Sequence, residues 1–129
     1  MIPAAIGVVL AIAIYGMLAI TGLTRNRGAL AILLVAIASY YLVFSFDHGH
    51  PSELFWHSIA VAAFVGLAAL GLHRGTAIIA IGLIAHGLFD IAIVPLFSAS
   101  APDWWAAFCA GVDITLGGLI LLTPKKAFT

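Results

Sequence analysis

The sequence predicts an all-α membrane protein, a bundle of five transmembrane helices with the N-terminus outside and the C-terminus cytoplasmic. Three observations predict it. The 129 residues are 64% apolar and only 8% charged, with a mean hydropathy of +1.23, whereas water-soluble domains run at about 45–50% apolar and about 25% charged. The apolar residues fall into five runs, each close to the roughly 20 residues a helix needs to cross a hydrocarbon core. Finally, every Lys and Arg lies in alternate connectors, so the basic residues share one side, which their retention during insertion makes the cytoplasmic one.

The same composition excludes a disordered chain, a coiled coil and a disulfide scaffold, because the single cysteine has no internal partner and charges are too few to flank heptads. A net charge of zero leaves no basic footprint, so no nucleic-acid partner is expected.

Residues 1–129 read as a single bundle with spans at about 2–23, 28–46, 53–72, 76–97 and 103–122. The first span lacks the basic start of a secretory signal and exceeds the usual ~7–15 apolar residues, so it is expected to remain as a helix. Thr24-Arg25-Asn26-Arg27 turns the chain into the second span. Asp47-His48-Gly49-His50-Pro51-Ser52 leads into the third; its Gly49 and Pro51 are turn formers, and its histidines are expected to be solvated. His73-Arg74-Gly75 is the short turn before the fourth span, with His73 a solvated connector residue. Residues 98–102 precede the fifth, and Pro124-Lys125-Lys126 follows it. Pro51 and Pro102 suit a first helical turn, Glu53 and Asp103 suit the positive end of the helix dipole, and Trp104 and Trp105 mark an interface. Pro95 loosens or ends the fourth span, since it cannot donate to Ile91. Small residues at Gly7/Ala11, Ser58/Ala62/Gly66 and Ala107/Gly111/Thr115 are read as packing seams.

Polar residues inside the spans carry the functional signal, because an ionisable group in lipid is expensive. His86 and Asp90 are four apart and share a helix face, as do Cys109 and Asp113 on the next span. Counting inward from the outer ends at about 1.5 Å per residue puts Asp90 level with Cys109 and His86 level with Asp113. His57 enters from the third span and Tyr40, Tyr41 and Ser45 from the second, while the inner half is almost purely apolar. The expected site is therefore a polar cup opening outward, built from His57, His86, Asp90, Cys109 and Asp113, with Tyr40 and Tyr41 as donors.

Three mechanisms fit this inventory. In the first, His86, Asp90 and Asp113, with Cys109 and His57, hold one transition-metal ion of the zinc, iron or copper type. In the second, His86, Asp90, Asp113, Tyr40 and Tyr41 perform acid/base catalysis on a small lipophilic molecule, two carboxyls sharing a proton as an isomerase, cyclase or epoxide hydrolase requires. No Lys or Arg lies within a span to hold a phosphate, which argues against phosphoryl transfer. In the third, the aspartates load protons in a non-enzymatic transporter or ligand-binding protein. The polar groups also admit a purely structural role as interhelical glue.

His86-x-x-x-Asp90, Pro102-Asp103-Trp104-Trp105 and Phe108-Cys109-x-x-x-Asp113 together resemble, over about the last third of the chain, a group of small uncharacterised bacterial polytopic membrane proteins. That resemblance implies no activity or cofactor. Five helices around an outward-facing pocket are similar in general plan to translocator-protein and emopamil-binding-type membrane proteins, some of which isomerise sterols. Their sequence signatures are missing here, so no residue role carries over. The expected setting is the cell inner (plasma) membrane, with the bilayer and a small apolar ligand as partners and a homo-oligomer left open.

Overall fold

Lipid offers no hydrogen bonds, so a chain this apolar must pair its backbone groups within helices. The computed structural model describes residues 1–48, 51–97 and 101–123. Within them lie α1 (Ile2–Thr21), α2 (Arg27–His48), α3 (Pro51–Arg74), α4 (Thr76–Ala92), the single turn α5 (Val94–Phe97) and α6 (Trp105–Leu122), with no strand among the described residues. Five stretches are long and apolar enough to cross a membrane, the fourth being Thr76–Leu96. Gly49, His50 and the Pro124-Lys125-Lys126 tail lie outside the described residues.

Local chemistry sets the helix ends. Gly22 takes φ 76°, and Leu23 N–H donates to Leu18 O at 2.7 Å, which closes α1 with a left-handed cap that glycine adopts without steric cost. Asn26 Oδ1 then accepts from Ala29 N–H at 2.9 Å and starts α2. Gly75, at φ 137°, reverses the chain between α3 and α4 in one residue. Pro95 interrupts the fourth span: α4 stops at Ala92 and the chain resumes as α5. Glu53 sits in the first turn of α3, as its dipole favours, but α6 begins only at Trp105, so Asp103 precedes that helix instead of standing in its first turn.

Two arginines fix which ends lie together. Arg27 Nη1 donates to the carbonyls of Leu72 and His73, at 3.1 and 3.3 Å, and Arg25 Nη1 reaches Thr123 O at 3.5 Å. The α1–α2 turn, the end of α3 and the end of α6 thus form one basic end of the bundle, where cationic side chains meet orphan helix carbonyls. Asp47, Glu53 and Asp103 mark the opposite, acidic end.

In cross-section α6 packs between α1 and α4, while α4 also meets α3 and α2. The α4–α6 crossing is close because glycines line it. A Cβ on Gly87 would stand 2.6 Å from Ile114 Cγ1, and one on Gly117 would stand 2.7 Å from the Ala80 carbonyl. Gly7 and Gly111 likewise bring α1 against α6, as the small-residue seams predict. The Ser58/Ala62/Gly66 row does not form a seam within the chain, since all three residues are exposed on the outer side of α3. Apolar side chains such as Ile2, Ile32, Phe46 and Leu122 also face outward, as lipid contact requires.

Gly117→Ala is expected to push α6 off the Ala80 carbonyl and cost about 1–3 kcal/mol. Gly118→Ala, whose Cβ meets nothing within 4 Å, serves as the neutral control. Thermal unfolding of the detergent-solubilised variants checks the pair, and equal melting would contradict the close crossing.

Candidate functional site

His86 and Asp90 lie one turn apart on α4, and α6 runs antiparallel beside them, so Asp113 faces the same spot from across the crossing. His86 Nδ1 and Asp113 Oδ2 share a hydrogen bond of 2.7 Å. Asp90 Oδ2 stands 3.6 Å from the same nitrogen, within ion-pair range but beyond a hydrogen bond. Ligand atoms of the three residues all lie within 4.8 Å of one another, and the side chains are 0–1% exposed. The crossing glycine Gly87 adjoins His86, and a Cβ there would lie 3.2 Å from Asp113 Cβ.

Aromatic rings wall the trio. Phe64 of α3 meets the His86 ring edge-on with centroids 4.7 Å apart, and Phe89 lies 5.8 Å away. Tyr41 of α2 is 1% exposed and 6.3 Å from the His86 ring, and its other side stacks on His57 at 5.2 Å with a 7° interplanar angle. Neither the Tyr41 hydroxyl nor either Asp90 oxygen nor Asp113 Oδ1 has a hydrogen-bond partner. Two carboxylates this close and this dry do not both ionise without a compensating positive charge. The trio therefore has to hold a shared proton, an imidazolium or a cation.

Sequence reasoning placed other residues here that the structure puts elsewhere. Cys109 is not part of the site, although it lies one turn from Asp113 and level with Asp90 by residue count. Cys109 is buried on α6 but is not among the ligand atoms that gather there. His57 falls outside the group as well, with Tyr41 stacked against it. Tyr40 is 47% exposed and packs edge-on against Trp105 at 5.3 Å.

The open cup is also corrected. A cavity of about 320 Å³ at the acidic end, lined by Val94, Pro95, Pro102 and Asp103, reaches Tyr41 among the described residues, and the trio itself is 0–1% exposed. A second cavity, of about 300 Å³, comes from the side between α1, α2 and α6. Leu10, Ile14, Leu33 and Ile37 make its walls apolar, Tyr40 and Cys109 line it, and Asp113 forms part of its lining. Sequence reasoning missed this cavity and the Phe64 wall. Phe64 stands seven residues after His57, on the same helical face, which is the one signal that points to it. Nothing in the apolar run of α1 distinguishes Leu10 or Ile14.

Comparison of the chain with models of known families, with curated proteins and with solved structures returned no match.

Asp113→Leu leaves the buried imidazole without its acceptor and is expected to cost about 3 kcal/mol, while Asp113→Asn keeps an acceptor and costs less. Melting temperatures should fall in the order parent, Asn, Leu. Identical melting of all three would show that the 2.7 Å bond does not hold α4 to α6.

Proposed function

We propose that the chain is an enzyme of the cell inner (plasma) membrane that takes up a small lipophilic molecule between α1, α2 and α6 and converts it through His86, Asp90 and Asp113. The single observation that carries this reading is the double position of Asp113: it is bonded to the buried His86 and also lines an apolar cavity. About 300 Å³ is the lower end of the size range of small-molecule sites, which are typically apolar with a few convergent polar groups. Its lateral position, with walls from Leu10 and Ile14 on one side and Leu33 and Ile37 on the other, suits a molecule dissolved in the bilayer rather than one arriving from water.

The chemistry that fits is of the isomerase, cyclase or epoxide-hydrolase type. One group delivers a proton to an alkene or epoxide and another removes or accepts one, and the His86–Asp113 pair supplies a donor and an acceptor within hydrogen-bond reach. Asp90 adds a second carboxyl beside the same nitrogen. Exclusion of water by Tyr41, Phe64 and Phe89 would protect a cationic intermediate from capture in the isomerase and cyclase cases, whereas epoxide hydrolysis would need one water admitted with the substrate as the nucleophile. The orientation that accompanies this reading has the basic end cytoplasmic, in accord with Arg25, Arg27 and Arg74 all belonging to it.

Mass spectrometry of solvent extracts from the purified chain tests the reading. A co-purifying apolar molecule is expected with the parent and with Asp113→Asn, but not with Ile37→Trp, which fills the cavity. Conversion of that molecule is expected only with the parent. Extracts that contain nothing beyond bulk lipid, or the same molecule at the same level in Ile37→Trp, would refute it.

A further inference from the structure

We infer that His86, Asp90 and Asp113 bind one divalent transition-metal ion of the zinc class, which makes the conversion proposed above metal-assisted. The metal site stands on the trio's own geometry and rests on the preceding reading only for what the ion acts upon.

Four features carry the inference. The first is the donor set: one imidazole nitrogen and two carboxylates, from α4 and α6, supply three protein ligands, the number that leaves a position open for a substrate or water at a catalytic ion. The second is spacing. Ligand atoms about 2.1 Å from a tetrahedral ion lie roughly 3.4 Å from each other. His86 Nδ1 and Asp90 Oδ2 are already 3.6 Å apart, and the 2.7 Å between His86 Nδ1 and Asp113 Oδ2 has to lengthen to that value as the ion replaces the proton between them, which is released on binding.

The third is charge. Both carboxylates are wholly buried, and three of their four oxygens have no hydrogen-bond partner. A divalent ion between two carboxylates gives a neutral centre and takes Asp90 Oδ2, one of those unpartnered oxygens, as a ligand, whereas an imidazolium can neutralise only one of the two. The fourth is a polar group outside the acidic pair. The Tyr41 hydroxyl, on a residue 1% exposed whose ring lies 6.3 Å from that of His86, has no hydrogen-bond partner and is a donor available to a carboxylate oxygen that does not face the ion. Outer hydrogen bonds of this kind orient a ligating carboxylate.

Cys109 and His57 do not belong to this centre, which makes the assignment specific. The test uses the full chain in nanodiscs, stripped with chelator and titrated with ZnCl₂ or CoCl₂, with bound ions counted by elemental analysis. About one ion per chain is expected, and the cobalt form should show visible d–d absorption without a thiolate charge-transfer band. Asp90→Asn and Asp113→Asn should each weaken binding by about tenfold or more, while Cys109→Ser and His57→Gln leave it nearly unchanged. Absence of binding by the parent chain, a thiolate band, or full binding by both aspartate variants would overturn the inference. Spectrum and stoichiometry come from the parent chain, so a variant that fails to fold does not remove the test. An ion bound without any apolar molecule in the extracts supports the metal site while refuting the preceding reading; a molecule bound and converted by ion-free chain does the reverse.

Discussion

The hydrogen bond between His86 on α4 and Asp113 on α6 is the contact on which the arrangement of the bundle turns. A carboxylate carried alone into lipid costs several kcal/mol, so the two helices that bear these groups have to meet where the groups can pair. The crossing is made possible by glycine on both helices: Gly87 beside His86, and Gly117 one turn beyond Asp113. The remaining helices arrange themselves about that pair. α3 and α2 cover it with Phe64 and Tyr41, and α1 lies on the far side of α6, bound through its own glycine seam.

How much of this was legible in the sequence follows from which forces have a period. The spans are legible because lipid imposes a length, and the faces of α4 and α6 because His86/Asp90 and Cys109/Asp113 repeat at four residues. Depth counting along the chain also matches His86 with Asp113. It fails for Cys109, because residue number gives the height of a Cα and not the direction in which the side chain leaves it. A shared height therefore does not bring Cys109 to Asp90, while His86 and Asp113, level by the same count, do meet.

What no reading of the residues supplies is the side cavity. The walls it takes from α1 and most of those from α2 are Leu, Ile and Ala side chains of the same kind as those facing lipid, and the packing of α1 against α6 rather than against α2 leaves room between them. The sealing of the trio is of the same origin. The sequence names Tyr41 as a polar residue in the outer half of α2, but its stacking on His57 turns it into a cover over the site. Among the described residues, the cavity at the acidic end reaches Tyr41, whereas Asp113 is part of the lining of the side cavity.

Interhelical glue alone does not account for Asp90. A structural bond between α4 and α6 needs one donor and one acceptor, and His86 with Asp113 already provides both. Asp90 adds a second carboxylate with two unpartnered oxygens 3.6 Å from the nitrogen that Asp113 already uses. In a merely structural core this residue lowers stability, since it contributes desolvation and like-charge repulsion and returns no hydrogen bond. Leucine or alanine would fill the position on α4 without that penalty. The surplus carboxylate is accounted for when the site must neutralise more positive charge than one imidazolium proton carries, or pass a proton between two acceptors beside a substrate. Either demand would fall at the α4–α6 crossing, where Asp113 also lines the side cavity and Asp90 adds a second acidic group beside His86.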